Sequence, residues 1–169
     1  DSVICDFGAF WKGYCSDITR TYFVGGSPAP KWRKRYALVL EANERSRAAL
    51  RHGAVAQDVD GAGRNFLGSS GVGNRFVHGT GHGIGLDVHE PPLLDMKGPE
   101  LVVGDALTIE PGLYFIEMLL RPFREGEASS HFNWSLIDEL APFGGVRVED
   151  NVVVTEDGHR NLTRAFLAS

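Results

Sequence analysis

Residues 78–92 read HGTGHGIGLDVHEPP and gather three of the chain's six histidines, His78, His82 and His89, within twelve positions. Two architectures that combine glycine and histidine in this way are excluded by spacing. A dinucleotide-binding loop needs GxGxxG, but Leu86 stands three positions after Gly83 and Val88 three after Gly85. A zinc-peptidase helix needs HExxH, but Leu93 occupies the second histidine position after His89-Glu90, with Pro91 and Pro92 between. What remains is an irregular glycine-rich strand, in which glycine permits close backbone approach and His82 projects from the chain. A glycine-rich turn with surface histidines is the rival reading.

On the N-terminal side, VICDFGAF (3–10) and YCSDITRTYFV (14–24) are rich in β-branched and aromatic residues and flank Lys12-Gly13, which reads as a hairpin. Apolar spacing predicts a long helix over 31–52, stopped by Gly53. Asp58 reads as the N-cap of a second helix over 59–67, ended by Gly68 to Gly71. Beyond Pro91-Pro92, strands are expected over 106–110, 113–116 and 145–154, with an irregular stretch over 117–144 that holds a short helix near 135–140. The sum is one α+β domain over 1–169, built on an antiparallel sheet.

Composition narrows the function classes. With 43% hydrophobic and 23% charged residues, the 169-residue chain reads as globular and long enough for one core. Seventeen basic against twenty-two acidic residues leave no electrostatic case for nucleic acid, and the 31–35 cluster reads as a solvated helix start. No apolar run approaches the roughly 20 residues of a membrane span, and no signal peptide is legible. Two cysteines, Cys5 and Cys15, without CxxC spacing, point to a reducing, cytoplasmic setting. Residue 1 is Asp, so a processed chain or a piece of a longer protein is expected.

The acids carry the chemistry. If the hairpin turns at Trp11-Lys12, Asp6 and Asp17 face each other, and if it turns at Lys12-Gly13 they are diagonal neighbours. Either register puts both on one face, where burial requires a proton or a cation between them, and a solvated face is the alternative. Along 145–154 the valines Val146, Val148, Val152 and Val154 share one parity, while Arg147, Glu149 and Asn151 share the other. Leu107 and Ile109 likewise oppose Thr108 and Glu110. Four carboxylates with one imidazole form an oxygen-rich set suited to two divalent cations, with manganese favoured and cobalt, iron or zinc as alternatives.

In order, DFG, SDITRT, HGTGHGIGLDVHE, TIEPGLYF and GVRVEDNVVV resemble the motifs of the pita-bread-fold metallopeptidases, which include methionine aminopeptidase, aminopeptidase P and Xaa-Pro dipeptidase (prolidase). The resemblance covers nearly the whole chain. It implies a pita-bread fold lacking its N-terminal portion, with Asp6 on one metal, Asp17 and Glu149 bridging both, and His82 and Glu110 completing the second. It also implies that His89 and His78 contact substrate and stabilise the oxyanion, that Glu110 shuttles a proton, and that Arg147 lies at the substrate side. The 39 residues from Glu110 to Glu149 resemble the long insertion of bacterial Xaa-Pro dipeptidases, whereas the 28 from His82 to Glu110 are compact, as in aminopeptidase P and archaeal-type prolidase. The implied activity is Xaa-Pro dipeptide hydrolysis by a metal-bridging hydroxide in a homodimer completed by the N-terminal segment of the same protein. Aminopeptidase P activity on longer peptides and a non-catalytic peptide- or protein-binding module are the alternatives.

Overall fold

The computed structural model describes residues 2–95 and 97–167. The hairpin forms in two tiers: β1 (Ser2–Phe7) pairs with β4 (Ile18–Phe23), and β2 (Phe10–Trp11) with β3 (Tyr14–Cys15). Partner positions sum to 25 throughout, so of the two registers the one turning at Lys12-Gly13 holds. Both turn residues have positive φ, 51° and 90°, the pairing a tight right-twisted hairpin needs. Between the tiers, a Cβ on Gly8 would fall 1.8 Å from the Ser16 carbonyl oxygen, so only glycine lets the strands pinch there.

Helix α1 (Pro30–Ala48) opens on a proline, whose fixed φ suits a first turn, and buries Trp32, Val39 and Ala42. It stops four residues short of the expected His52, because the amides of His52 and Gly53 bond to the carbonyls of Thr155 and Leu101 at 3.0 and 2.9 Å. Helix α2 (Ala56–Ser69) begins earlier than expected, and Asp58 is not its N-cap. Val55 holds that position, and the Ala56 amide is taken by the Pro99 carbonyl at 2.8 Å. Asp58 sits in the first turn instead, where its charge complements the helix dipole.

A five-stranded antiparallel sheet follows, in the order β11 (His159–Asn161), β10 (Asp150–Val154), β7 (Ala106–Ile109), β5 (Gly81–Gly83), β6 (Glu90–Leu94). Strand β6 contains Pro91 and Pro92, where no strand was expected; prolines are tolerated there because β6 lies at the sheet edge. The strand expected over 145–154 divides: β9 (Gly145–Arg147) pairs with β8 (Gly112–Tyr114), while β10 joins the large sheet. Its valines therefore serve two cores. Val146 and Val148 pack with Trp32, Val39 and Leu113, whereas Val152 and Val154 pack with Leu50, Leu94, Leu107 and Ile109.

The stretch 117–144 is more ordered than its sequence suggests. It holds α3 (Glu117–Arg124), whose Pro122 reads as a breaker, and α4 (Trp134–Leu140), close to the expected short helix and capped by the Asn133 side chain. A last helix, α5 (Leu162–Leu167), follows β11. Among the described residues no helix is long and apolar enough to cross a membrane.

Candidate metal centre

Glu149 lies between β9 and β10, where the chain passes from one sheet to the other, and its amide bonds to the Thr19 carbonyl on β4 at 3.1 Å. That crossing brings the two-stranded hairpin onto the large sheet. Asp6 (β1), Asp17 (before β4), His82 (β5), Glu110 (after β7) and Glu149 converge there. Asp6, Asp17 and Glu149 each offer a ligand atom within 4.8 Å of the others, and so do His82, Glu110 and Glu149. The hairpin face that sequence left open between solvent and site is thus a shared acidic pocket.

His82 is held by its neighbours' lack of side chains. A Cβ on Gly81 would lie 1.9 Å from the Thr108 carbonyl oxygen and one on Gly83 would lie 2.4 Å from that of Pro91, so β5 fits between β7 and β6 only as glycine. His82 Nδ1 contacts the Gly83 carbonyl at 2.9 Å; a carbonyl only accepts, so Nδ1 carries the hydrogen. Nε2 then presents a lone pair to the Glu110 carboxylate at 3.2 Å. Two acceptors facing each other need a proton or a cation, and a backbone-held Nδ1 is the usual support of a metal-binding imidazole.

Electrostatics give the same answer. Burial, then Glu110, with Asp17 and Asp6 adding to it, pushes Glu149 up to about 8, against the opposing hydrogen bond from Thr19. Burial and the neighbouring Asp6 also raise Asp17. For His82, burial lowers the pKa, but the hydrogen bond to Glu110 and the Gly83 carbonyl outweigh it and the net direction is up. Thr19 donates to one Glu149 oxygen at 2.7 Å, while Oε1 is buried with no partner among the described residues. Four carboxylates, one of them with an orphaned buried oxygen, and an imidazole lone pair are a donor set short of positive charge, and divalent cations fit it.

The remaining residues form the walls. His89 lies beside His82, ring centroids 4.2 Å apart and planes tilted by 39°, and shares a third possible ligand group with Asp17 and His82. His78 is half-buried: Nδ1 donates to the Gly79 carbonyl at 2.7 Å, and Nε2 meets the Tyr114 hydroxyl at 2.8 Å. Burial lowers its pKa, which keeps the ring neutral. Arg147 donates to the same hydroxyl at 3.0 Å, to Thr19 at 3.1 Å and to Asp6. Sequence reading gave no role to Tyr114, Thr19 or Asn151. Thr19 was legible as the partner of Asp6 on the Asp17 parity. Asn151 clamps the Asp17 backbone, its side-chain amide accepting from the Asp17 N–H at 3.2 Å and donating to its carbonyl at 2.5 Å. Tyr114, four positions beyond Glu110, carried no signal of its own.

Comparison with known proteins agrees. The model of metallopeptidase family M24 matches residues 1–156. A Bacillus subtilis protein described as an uncharacterized peptidase, YqhT, is 36% identical over 166 residues, 98% of this chain and 40% of the relative. The Xaa-Pro dipeptidase of Pyrococcus furiosus is 36% identical over 97% of this chain and 40% of its own length. Among solved structures, prolidase from Pyrococcus furiosus superposes with a TM-score of 0.79 at 37% identity, covering 96% of this chain and 41% of that one. The Asp260Ala variant of Escherichia coli aminopeptidase P does so at 0.75 and 31%, over 98% and 38%. These likenesses identify the α+β architecture as the pita-bread fold. The chain spans about 40% of the length of these relatives.

Proposed function

The chain belongs to metallopeptidase family M24, and from that premise we propose that it forms the metal-binding part of an Xaa-Pro dipeptidase. The observation that carries the reading is the orphaned, buried Glu149 Oε1 at the junction of two ligand groups. Two divalent cations would be held by Asp6, Asp17, His82, Glu110 and Glu149, with Asp17 and Glu149 shared. When bound, such ions supply a water nucleophile at neutral pH and polarise the scissile carbonyl. The oxygen-rich set favours manganese.

The chain's own groups do the rest. Glu110 holds and moves a proton between the nucleophile and the leaving nitrogen. His89, whose ring is exposed beside His82, donates to the oxygen that gains charge, and His78 positions the Tyr114 hydroxyl on the substrate-side wall. Arg147 is occupied by Asp6, Thr19 and Tyr114. Once Asp6 turns to a cation, Nη2 is free to take the C-terminal carboxylate of a dipeptide. The long 117–144 segment next to this wall favours the dipeptidase over aminopeptidase P. We place the enzyme in the cytoplasm as a homodimer, consistent with free Cys5 and Cys15.

The test uses the full-length protein loaded with manganese or zinc, assayed on Xaa-Pro dipeptides and on tripeptides beginning Xaa-Pro. Faster dipeptide cleavage is expected; preference for tripeptides indicates aminopeptidase P, and metal uptake without either activity indicates a binding module. Glu149→Gln and Asp17→Asn should each lower bound metal from two ions towards one or none. Two ions retained in both variants with activity intact would overturn the shared-ligand assignment. His89→Ala should keep its metal and lose kcat, whereas loss of metal would make His89 a ligand.

A further inference from the structure

Helix α2 carries an ion pair that the proposed mechanism does not use. Asp60 is 1% exposed, and Arg64 one turn later donates to both its oxygens, Nε to Oδ2 at 2.7 Å and Nη2 to Oδ1 at 2.9 Å. The guanidinium also reaches beyond the helix. Nη1 donates to the Phe76 carbonyl at 3.0 Å, Nη2 to the His78 carbonyl at 2.6 Å, and the guanidinium carbon lies 4.3 Å from the centre of the Phe76 ring. Asp60 Oδ1 accepts in addition from the amide and the hydroxyl of buried Thr80, at 3.0 and 2.8 Å. Residues 76–80 belong to no strand or helix, so their carbonyls have no ladder to complete. Arg64 supplies donors to two of them, while the Thr80 carbonyl accepts from the Glu110 amide at 2.7 Å.

We propose that Asp60 and Arg64 are positioning residues for substrate recognition, holding His78 where it orients Tyr114 and, through it, Arg147. The inference rests on the dipeptidase reading above, in which Arg147 takes the C-terminal carboxylate. The bonds along this path have a fixed direction. His78 Nδ1 donates to the Gly79 carbonyl, so Nε2 accepts from the Tyr114 hydroxyl, whose oxygen is thereby turned to accept from Arg147. The Phe76 ring, under the Arg64 guanidinium, meets the His78 ring edge-on at 5.1 Å and fixes it from the other side. Because Asp60 holds Thr80 by separate bonds, losing the Arg64 fork frees the His78 side and leaves the Glu110 side held. A lysine at position 64 keeps a cation beside Asp60 but, as a point charge without the planar fork, cannot also span two carbonyls.

Arg64→Lys in the full-length protein is therefore the test. With metal loaded, KM for Xaa-Pro dipeptides should rise about tenfold while kcat changes less than about twofold, with bound metal and the unfolding midpoint kept near wild type. In a Tyr114→Phe background the same substitution should have no further effect on KM, since the link it acts through is already cut. A second readout does not depend on activity: in metal-free protein carrying nitrogen-labelled histidine, NMR should find His78 as the Nδ1–H tautomer in wild type and as an exchanging mixture in Arg64→Lys. An unchanged KM, full additivity with Tyr114→Phe, a His78 tautomer that Arg64→Lys leaves intact, or an Arg64→Lys protein that loses stability instead of KM would overturn the proposal. A wild type that cleaves no Xaa-Pro substrate would overturn the dipeptidase reading instead, and the His78 tautomer would then decide on Arg64 by itself.

Discussion

Glu149 and Asp150 are neighbours in the chain and both are withdrawn from solvent, 1% and 0% exposed, yet they face opposite electrostatic worlds. Asp150 is surrounded by arginines: Arg20 at 3.0 Å, Arg164 at 2.8 Å and Arg47 at 3.5 Å. Asn43 ties Arg47 and Arg164 together at 2.8 and 3.2 Å and donates to the Ile109 carbonyl at 2.8 Å. Glu149 faces Asp6, Asp17 and Glu110, with one hydroxyl donor and one oxygen unpartnered among the described residues. The first carboxylate belongs to a closed network that locks β4, α1 and α5 to the large sheet. The second is left open on the side of the two possible ligand groups. A buried acid is therefore structural or functional according to whether the protein itself supplies the counter-charge.

The sharpest way to break this contrast is to neutralise each acid in metal-free protein. Asp150→Asn leaves three guanidiniums short of their partner and should cost about 3–5 kcal/mol, read by urea unfolding in chelator. Glu149→Gln under the same conditions should be neutral or stabilising, because it removes the cost of keeping that carboxyl protonated in the folded state. If the two substitutions cost the same, the distinction between the closed and open sites is lost.

A second test follows from the raised Glu149. Its folded pKa of about 8 exceeds the unfolded value near 4.5, so between those values the folded state holds a proton that the unfolded state has released. Stability of metal-free protein should then fall as pH rises from about 4.5 to 8, by at most about 5 kcal/mol at 1.36 kcal/mol per unit. Glu149→Gln should flatten that slope, and so should saturating divalent metal, which stabilises the ionised carboxylates. A slope unchanged by either would show that the acid cluster does not set it.

The smallest effect concerns Asn151, which faces the Asp17 side but holds backbone rather than ligand. Asn151→Ala should weaken metal affinity by about 10–100-fold while leaving the number of ions at saturation unchanged. Lost stoichiometry would make Asn151 more than a support.

Much of this site was legible before any coordinates. Asp6, Asp17, Glu110 and Glu149 could be placed on shared faces because side chains in a strand alternate with a period of two, and a hairpin turn at Lys12-Gly13 sets its register locally. The histidines stood out by spacing. The misreadings were equally local. Asp58 has the chemistry of an N-cap, but the Pro99 carbonyl took over part of that work. Pro91-Pro92 gives no sign of a strand because nothing in the local pattern says that this segment will lie at a sheet edge.

Sequence by itself therefore placed the candidate ligands on shared faces and carried the likeness to the family. Tertiary structure alone decided which buried charges are balanced. Arg20, Arg47 and Arg164 come from β4, α1 and α5, far from one another in the chain, and only packing brings them to Asp150. The chain from His78 through Tyr114 to Arg147 is assembled in the same way from a loop, β8 and β9. Alternation is a property of neighbouring peptide units, whereas the potential at a buried carboxylate depends on every charge within a few ångströms, wherever in the chain it originates.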